Sequence, residues 1–217
     1  MPKKHLIAQN VSNFYHAITN PADPQVSVFH FHYALPQVAS QNQALDRAIG
    51  LDETGFNGTS DSVYRRQAWR FLLAGGALFN NLDYSFTTGH PRGDFDNPKA
   101  PGGGSAALRG QLKILKDFLE SLNFLAMKPA KNAVTRLSEG NRAYALVRPG
   151  KQIAAFFEGN SDASGEISLT SGLWFEEWMD VMTGQVVRLR TTTHAGGAYK
   201  LSGPKGEVAL RLTRLAK

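Results

Sequence analysis

The sequence predicts an α/β segment followed by an all-β one, and three observations carry that expectation. Residues Arg47 to Phe86 read as strand, helix, strand, with carboxylates (Asp52, Glu53 and Asp83) where the two strands end. Two further apolar runs precede them, making four strands joined by crossovers. From about residue 140 the hydrophobic period shortens to two. The expected architecture is therefore half of a (β/α)8 TIM barrel over residues 1–128, then a small antiparallel β-sandwich over residues 140–217.

Taken in order, His5 to Val11 is a short apolar run expected as a first buried strand, with Asn10 at its carboxyl end. After the turn signals of Asn20 to Pro24, the β-branched and aromatic run Val26 to Tyr33 is a stronger strand, and Pro36 to Arg47 supplies a short helix. Ala48-Ile49-Gly50-Leu51 then stops at two adjacent carboxylates, Asp52 and Glu53. A loop with Gly55 and Gly58 leads through Ser60-Asp61 into the amphipathic run Val63 to Leu73, which Gly75-Gly76 ends before a strand over Leu78 to Phe86. A parallel strand-helix-strand unit carries its functional groups at the carboxyl ends of its strands, so Glu53 and Asp83 are expected at one mouth.

Thr87 to Gly104 is rich in Gly, Pro and Asp and is expected as a long loop. Its Gly102-Gly103-Gly104 is no phosphate loop, because no strand precedes it directly and no Lys-Ser/Thr follows. Ser105 opens the longest helix, with Leu108, Leu112, Leu115, Leu119 and Leu122 on one stripe widened by Ile114 and Phe118, and Pro129 is expected to end it. Beyond it, Ala143–Val147, Gln152–Phe157, Glu166–Leu169, Leu173–Val181, Gln185–Thr191 and Glu207–Thr213 alternate as strands. Alternation of Val187 and Leu189 with Arg188 and Arg190 predicts a solvated basic face on one of them.

Composition narrows the function classes. With 217 residues and 42% hydrophobic content the chain can bury a core. No run approaches the roughly 18 apolar residues of a membrane span, and Met1 to His5 lacks a signal-peptide apolar core, so no membrane partner is expected and localisation stays open. The absence of cysteine excludes disulfides, thiol catalysis and Cys-ligated zinc. The net charge of +6 is scattered rather than concentrated, which argues against nucleic acid.

Leu51-Asp52-Glu53-Thr54-Gly55-Phe56, Tyr64-Arg65-Arg66-Gln67-Ala68-Trp69, and Ala74-Gly75-Gly76 through Leu82-Asp83-Tyr84-Ser85-Phe86 resemble the last third of a barrel glycoside hydrolase. The resemblance is to cellulase-like enzymes of the large retaining clan, in a bacterial branch that carries a C-terminal β-domain named for collagen binding. Trp174, Phe175, Trp178 and Asp180 to Gly184 resemble a hairpin of that β-domain. The resemblance implies strands corresponding to the fifth to eighth of a barrel, a carbohydrate partner and no cofactor. It also implies that Glu53, matching the carboxylate at the end of the seventh strand, is the catalytic nucleophile. Asn10, His32, Tyr33, Asp52, Asp83 and Tyr84 are the implied substrate-binding residues, with His32 and Tyr33 holding Glu53 by hydrogen bonds while His30 packs. Asp52 stands where Asn is expected in the relatives, and the acid/base Glu of the fourth strand has no counterpart. The chain is therefore expected to be either a piece of a longer protein or a half-barrel that completes itself as a homodimer through its edges.

Three other readings stay open at this stage. Asp52 and Glu53 could simply cap the helix that begins near Ser60. The half-barrel could be a non-catalytic carbohydrate-binding or interaction module. His30 and His32, two residues apart on one strand face, could be ligands of a metal-dependent hydrolase, with Asp83 as a third, although no metal is expected in the preferred reading.

Overall fold

The computed structural model describes residues 5–11, 16–18, 22–97 and 99–215. It divides into two compact units, Met1–Leu112 and Lys113–Lys217.

In the first unit, strands β1 (Ala8–Val11), β2 (Val28–His32), β3 (Ala48–Thr54) and β4 (Leu78–Asn81) form a parallel sheet in the order β1-β2-β3-β4. Period two sorts its side chains. Phe29, Phe31, Ile49 and Leu51 alternate onto one face and are buried with Val38, Ala39 and Phe71 of the helices. The intervening His30, His32, Gly50 and Asp52 belong to the other face. Helix α1 is four residues, Val38–Gln41, because Pro36 delays its start. Helix α2 (Asp61–Leu73) buries Tyr64, Ala68, Trp69, Phe71 and Leu73, and ends where Gly76 N–H donates to the Phe71 carbonyl at 2.9 Å. Helix α3 (Ala106–Glu120) runs from the first unit into the second.

In the second unit, six strands lie in the order β11 (Val186–His194), β10 (Gly172–Asp180), β13 (Val208–Arg214), β8 (Gln152–Glu158), β7 (Arg142–Arg148), β5 (Lys128–Pro129). Three more lie in the order β12 (Gly197–Lys205), β9 (Asp162–Leu169), β6 (Val134–Thr135). All their pairings are antiparallel. Residues from both sheets share one core around Trp174, Trp178, Phe157, Ile167, Leu201 and Leu210. Trp174 and Trp178 are thus core residues and offer no exposed stacking surface.

The expected fold class is corrected by this arrangement. Half of a (β/α)8 barrel is not shown: about 40% of the chain is strand and 19% helix, and nine of the thirteen described strands are in antiparallel sheets. Among the described residues of the parallel sheet's crossovers, β3 to β4 contains the long helix α2, whereas β2 to β3 has the four-residue α1 and a 3-10 turn, Gln43–Leu45. The physical reason in the β2 to β3 crossover is that Pro36 and the polar residues Gln37, Ser40, Gln41, Asn42 and Gln43 leave too short an apolar stripe for a covering helix. The two-copy assembly expected from closing such a half-barrel loses that premise.

Smaller expectations also change. β1 is an exposed edge strand rather than a buried one, with Leu6 80% exposed just before it. Helix α3 stops at Glu120, before Pro129, and Pro129 itself lies in β5. On β11 Arg188 and Arg190 are exposed as expected, Arg190 reaching the buried Glu176 at 2.9 Å, but Val187 and Leu189 are exposed as well, so neither face of the strand is buried there.

Candidate active site

The carboxyl ends of β2 and β3 bring two histidines to two carboxylates. In register, His30 stands beside Gly50 and His32 beside Asp52. A Cβ on residue 50 would lie 2.6 Å from His30 Nδ1, so Gly50 leaves the space in which the His30 ring sits. His30 Nδ1 lies 2.5 Å from Asp52 Oδ2, and His32 Nδ1 lies 2.9 Å from Glu53 Oε2. The first contact is close in distance but is not a hydrogen bond, and His30 Nδ1 is a buried nitrogen without a hydrogen-bond partner. His30 therefore touches the Asp52 carboxylate and does not merely pack.

Strict alternation would send Asp52 and Glu53 to opposite faces of the sheet. The backbone prevents that. Between Leu51 and Thr54 the pairing of β3 with β4 advances three residues on β3 against two on β4, a bulge that holds the extra residue. Glu53 within it has φ 55, in the left-handed region. The bulge turns Glu53 toward the same face as His32, so that both carboxylates meet the histidine pair. Tyr33, which follows His32, is also left-handed, with φ 51, and its hydroxyl donates to Glu53. Two non-glycine residues in this conformation cost of the order of 1–3 kcal/mol each. Both lie at Glu53, a carboxylate held by two side-chain donors.

Those donors set the electrostatics. The hydrogen bond from His32, then that from Tyr33, hold the Glu53 carboxyl below the usual carboxylate range despite some desolvation. Reciprocally, the bond to Glu53 keeps the Tyr33 phenol above its ordinary value. With His32 Nδ1 bonded to Glu53, the other ring nitrogen of His32 is buried without a hydrogen-bond partner. Glu53 itself is 37% exposed at its side chain, so it is open in part to solvent.

The remaining expected residues divide. Asn10 stands in register with His30 on the exposed β1. Tyr84, after β4, meets Phe56 edge-on at 6.3 Å, and Phe56 in turn meets Tyr33 at 5.0 Å. Asp83 is otherwise engaged: Arg109 Nη1 donates to it at 2.7 Å, and the Ser85 hydroxyl and amide donate at 2.5 and 3.0 Å. That cluster ties the start of α3 to the end of β4. Among the described residues no group of three or more His, Asp or Glu is placed to hold a metal ion, since His30 and His32 each turn to a separate carboxylate.

Phe56 and Arg109 were absent from the residues expected at the site. Phe56 could have been suspected from its place three residues after Glu53, in a glycine-flanked loop at a strand's carboxyl end. For Arg109, one of several basic residues on a long helix, the sequence carries no such signal.

No family model and no curated protein matches the chain. Solved structures do match its fold. One titled as a glycoside hydrolase aligns with TM-score 0.57 at 12% identity, over 90% of this chain and 59% of its own. A glycoside hydrolase family 5 protein from Bacteroides vulgatus aligns with TM-score 0.60 at 11% identity, over 90% of this chain and 57% of its own. A GH30 endoxylanase from Clostridium papyrosolvens aligns with TM-score 0.52 at 9% identity, over 89% and 51%. The chain spans between half and three-fifths of the length of these proteins, and its fold is similar to that of glycoside hydrolases.

Proposed function

We propose that the chain is glycoside-hydrolase-like, acts on an oligo- or polysaccharide, and uses Glu53 as the nucleophile of a retaining mechanism. The observation that carries the proposal is the Glu53 carboxylate, kept ionised by His32 and Tyr33, partly exposed, and aimed by a strained bulge at the end of a parallel strand. A helix cap needs none of this. Helix α2 begins at Asp61, seven residues after β3 ends, so Glu53 is remote from its first turn. In the proposed step a Glu53 oxygen attacks the anomeric carbon, the glycosidic oxygen departs with a proton from a general acid, and water later cleaves the glycosyl ester.

No carboxyl among the described residues is assigned as that acid, since Asp52 is paired with His30 and Asp83 with Arg109. The same observation favours a second reading, in which the chain binds carbohydrate without turning it over. Labelling separates the two. A fluorinated aryl glycoside whose phenolate leaves without protonation should form an ester on Glu53, found by mass spectrometry, and none in Glu53→Gln. Ordinary glycosides should turn over about 10²–10⁴-fold more slowly than with a complete acid/base pair. A label on another residue, or undiminished turnover in folded Glu53→Gln, overturns the assignment.

A further inference from the structure

We propose that strand β11 is an interface on which a second copy of this chain pairs, antiparallel and across a two-fold axis at Thr191, so that the six-stranded sheet continues from one copy into the other. The inference goes beyond the reading of Glu53 and does not depend on it.

The four outer strands of the second unit are not alike. An edge strand presents a row of unpaired N–H and C=O groups, and proteins blunt such edges with short strands, proline, lysine or bulges. β5 is two residues long and ends in Pro129, which has no N–H to give. β6 is also two residues long. β12 carries Lys200, Gly203, Pro204 and Lys205, and its register with β9 breaks between Ser202 and Lys205. β11 is nine residues long and contains no proline, glycine or lysine. Its register shift lies at its amino end, and from Arg188 opposite Trp178 to His194 opposite Gly172 it pairs with β10 without a break. On its other side it pairs with no described strand. Its two arginines are turned to their own unit, Arg190 to Glu176 at 2.9 Å and Arg188 to the Ser202 carbonyl. Val186, Val187 and Leu189 are about half exposed, and Leu173 beside them on β10 is partly so. One long, regular, partly apolar edge left open among three blunted ones is expected where that edge has a partner.

The blunted edges also identify the partner. Head-to-tail addition would need the second edge of the same sheet, which is β5, and Pro129 closes it. Pairing of like with like needs β11 alone and is complete after two copies.

Charge then selects the register. In an antiparallel self-pair about Thr191, each Thr191 faces its equivalent, Arg190 faces Thr192, Leu189 faces Thr193 and Arg188 faces His194. Centring on Arg190 would set that arginine against itself, and centring on Leu189 would set Arg188 against Arg190, both juxtapositions of like charge. The axis at Thr191 keeps the guanidinium groups apart and places β-branched residues, which suit cross-strand pairs, at the centre.

Sedimentation of the full chain across the micromolar range should show a monomer passing into a dimer. Thr191→Lys sets two ammonium groups face to face at the axis and should weaken the dimer by at least about tenfold. Leu125→Lys, at an exposed position away from β11, should leave it unchanged. The chain has no cysteine, so a single introduced one reports the register. Directly opposed Cα atoms lie about 4.5–5.5 Å apart, within reach of a disulfide. Under mild oxidation Thr191→Cys should therefore cross-link two copies, and Thr193→Cys, which faces residue 189, should not. Both positions are exposed, so neither change disturbs the core. A monomer at every concentration, or a dimer undiminished by Thr191→Lys, overturns the proposal. So does a dimer in which Thr191→Cys fails to cross-link or Thr193→Cys cross-links equally well.

Discussion

Glu53 is held by two donors that act in the same direction, and its titration should show it. Its carboxyl is lowered chiefly by His32 and secondarily by Tyr33. A group whose folded value is depressed contributes stability that is present above its unfolded value and lost as the pH falls through the folded one. The same carboxylate must be ionised to attack an anomeric carbon. The rate of Glu53 labelling should therefore stay level as pH falls past about 4.3, where an ordinary Glu titrates, and decline only below it. In His32→Ala the acidic limb should move upward, because the larger of the two donors is gone. A wild-type limb above the ordinary value would show that the His32 and Tyr33 bonds are not formed in solution.

At the scale of elements, the loops after β3 and before α3 act as one piece. Gly102 packs on the Gly55 carbonyl and the Tyr84 ring, Gly103 on the ring of Tyr64, and Gly104, with φ +150, on Asp83 and the Tyr84 amide. The glycine run thus serves close approach of backbones, and the Tyr84 amide donates to the Gly103 carbonyl at 3.2 Å. Gly102→Ala would force a methyl into a carbonyl oxygen. It should lower stability by about 1–3 kcal/mol, the usual range for overpacking, seen as a lower midpoint in denaturant. Gly110 sits inside α3 with nothing within 4 Å of an added Cβ, and Gly110→Ala should raise stability by about 0.5–1 kcal/mol through helix propensity. Equal effects of the two changes would mean that the loops do not touch as described.

At the scale of the molecule, the second unit has its own core and its own buried polar network. Glu176 is fully buried and accepts from Trp178 Nε1 at 2.7 Å and Tyr199 at 2.5 Å, with Arg190 at 2.9 Å. Burial, then the bond to Glu176, pushes the Tyr199 phenol up to about 12. A fragment of residues 113–217 should fold alone, with a near-ultraviolet spectrum of immobilised tryptophans and a cooperative melt. A shorter fragment from Arg142 would lose β5 and β6, and with β6 the core residue Val134 and the pairing of Val134 with Ile167. It should melt at a lower temperature. A disordered 113–217 would mean that this unit depends on the rest of the chain.

Read alone, the sequence determined where alternation is dense and where chemistry gathers at strand ends. The runs Ala143–Val147, Gln152–Phe157 and Glu207–Thr213 read as strands from their dense apolar and β-branched content, and the structure has them as Arg142–Arg148, Gln152–Glu158 and Val208–Arg214. β12 was missed, since Gly197, Gly203 and Pro204 disguise it, and the reason for Gly203 is tertiary: a Cβ there would strike the ring of Trp178 at 2.3 Å. The half-barrel is not legible either way in the sequence, because apolar runs announce strands but not whether a helix covers each crossover. Asp52 and Glu53 were visible as a pair. That they meet the same pair of histidines was not, since alternation predicts opposite faces and only the bulge against β4, with Glu53 in a left-handed conformation, reverses it. Such reversals arise from contacts between residues distant in sequence, and these only the folded chain decides.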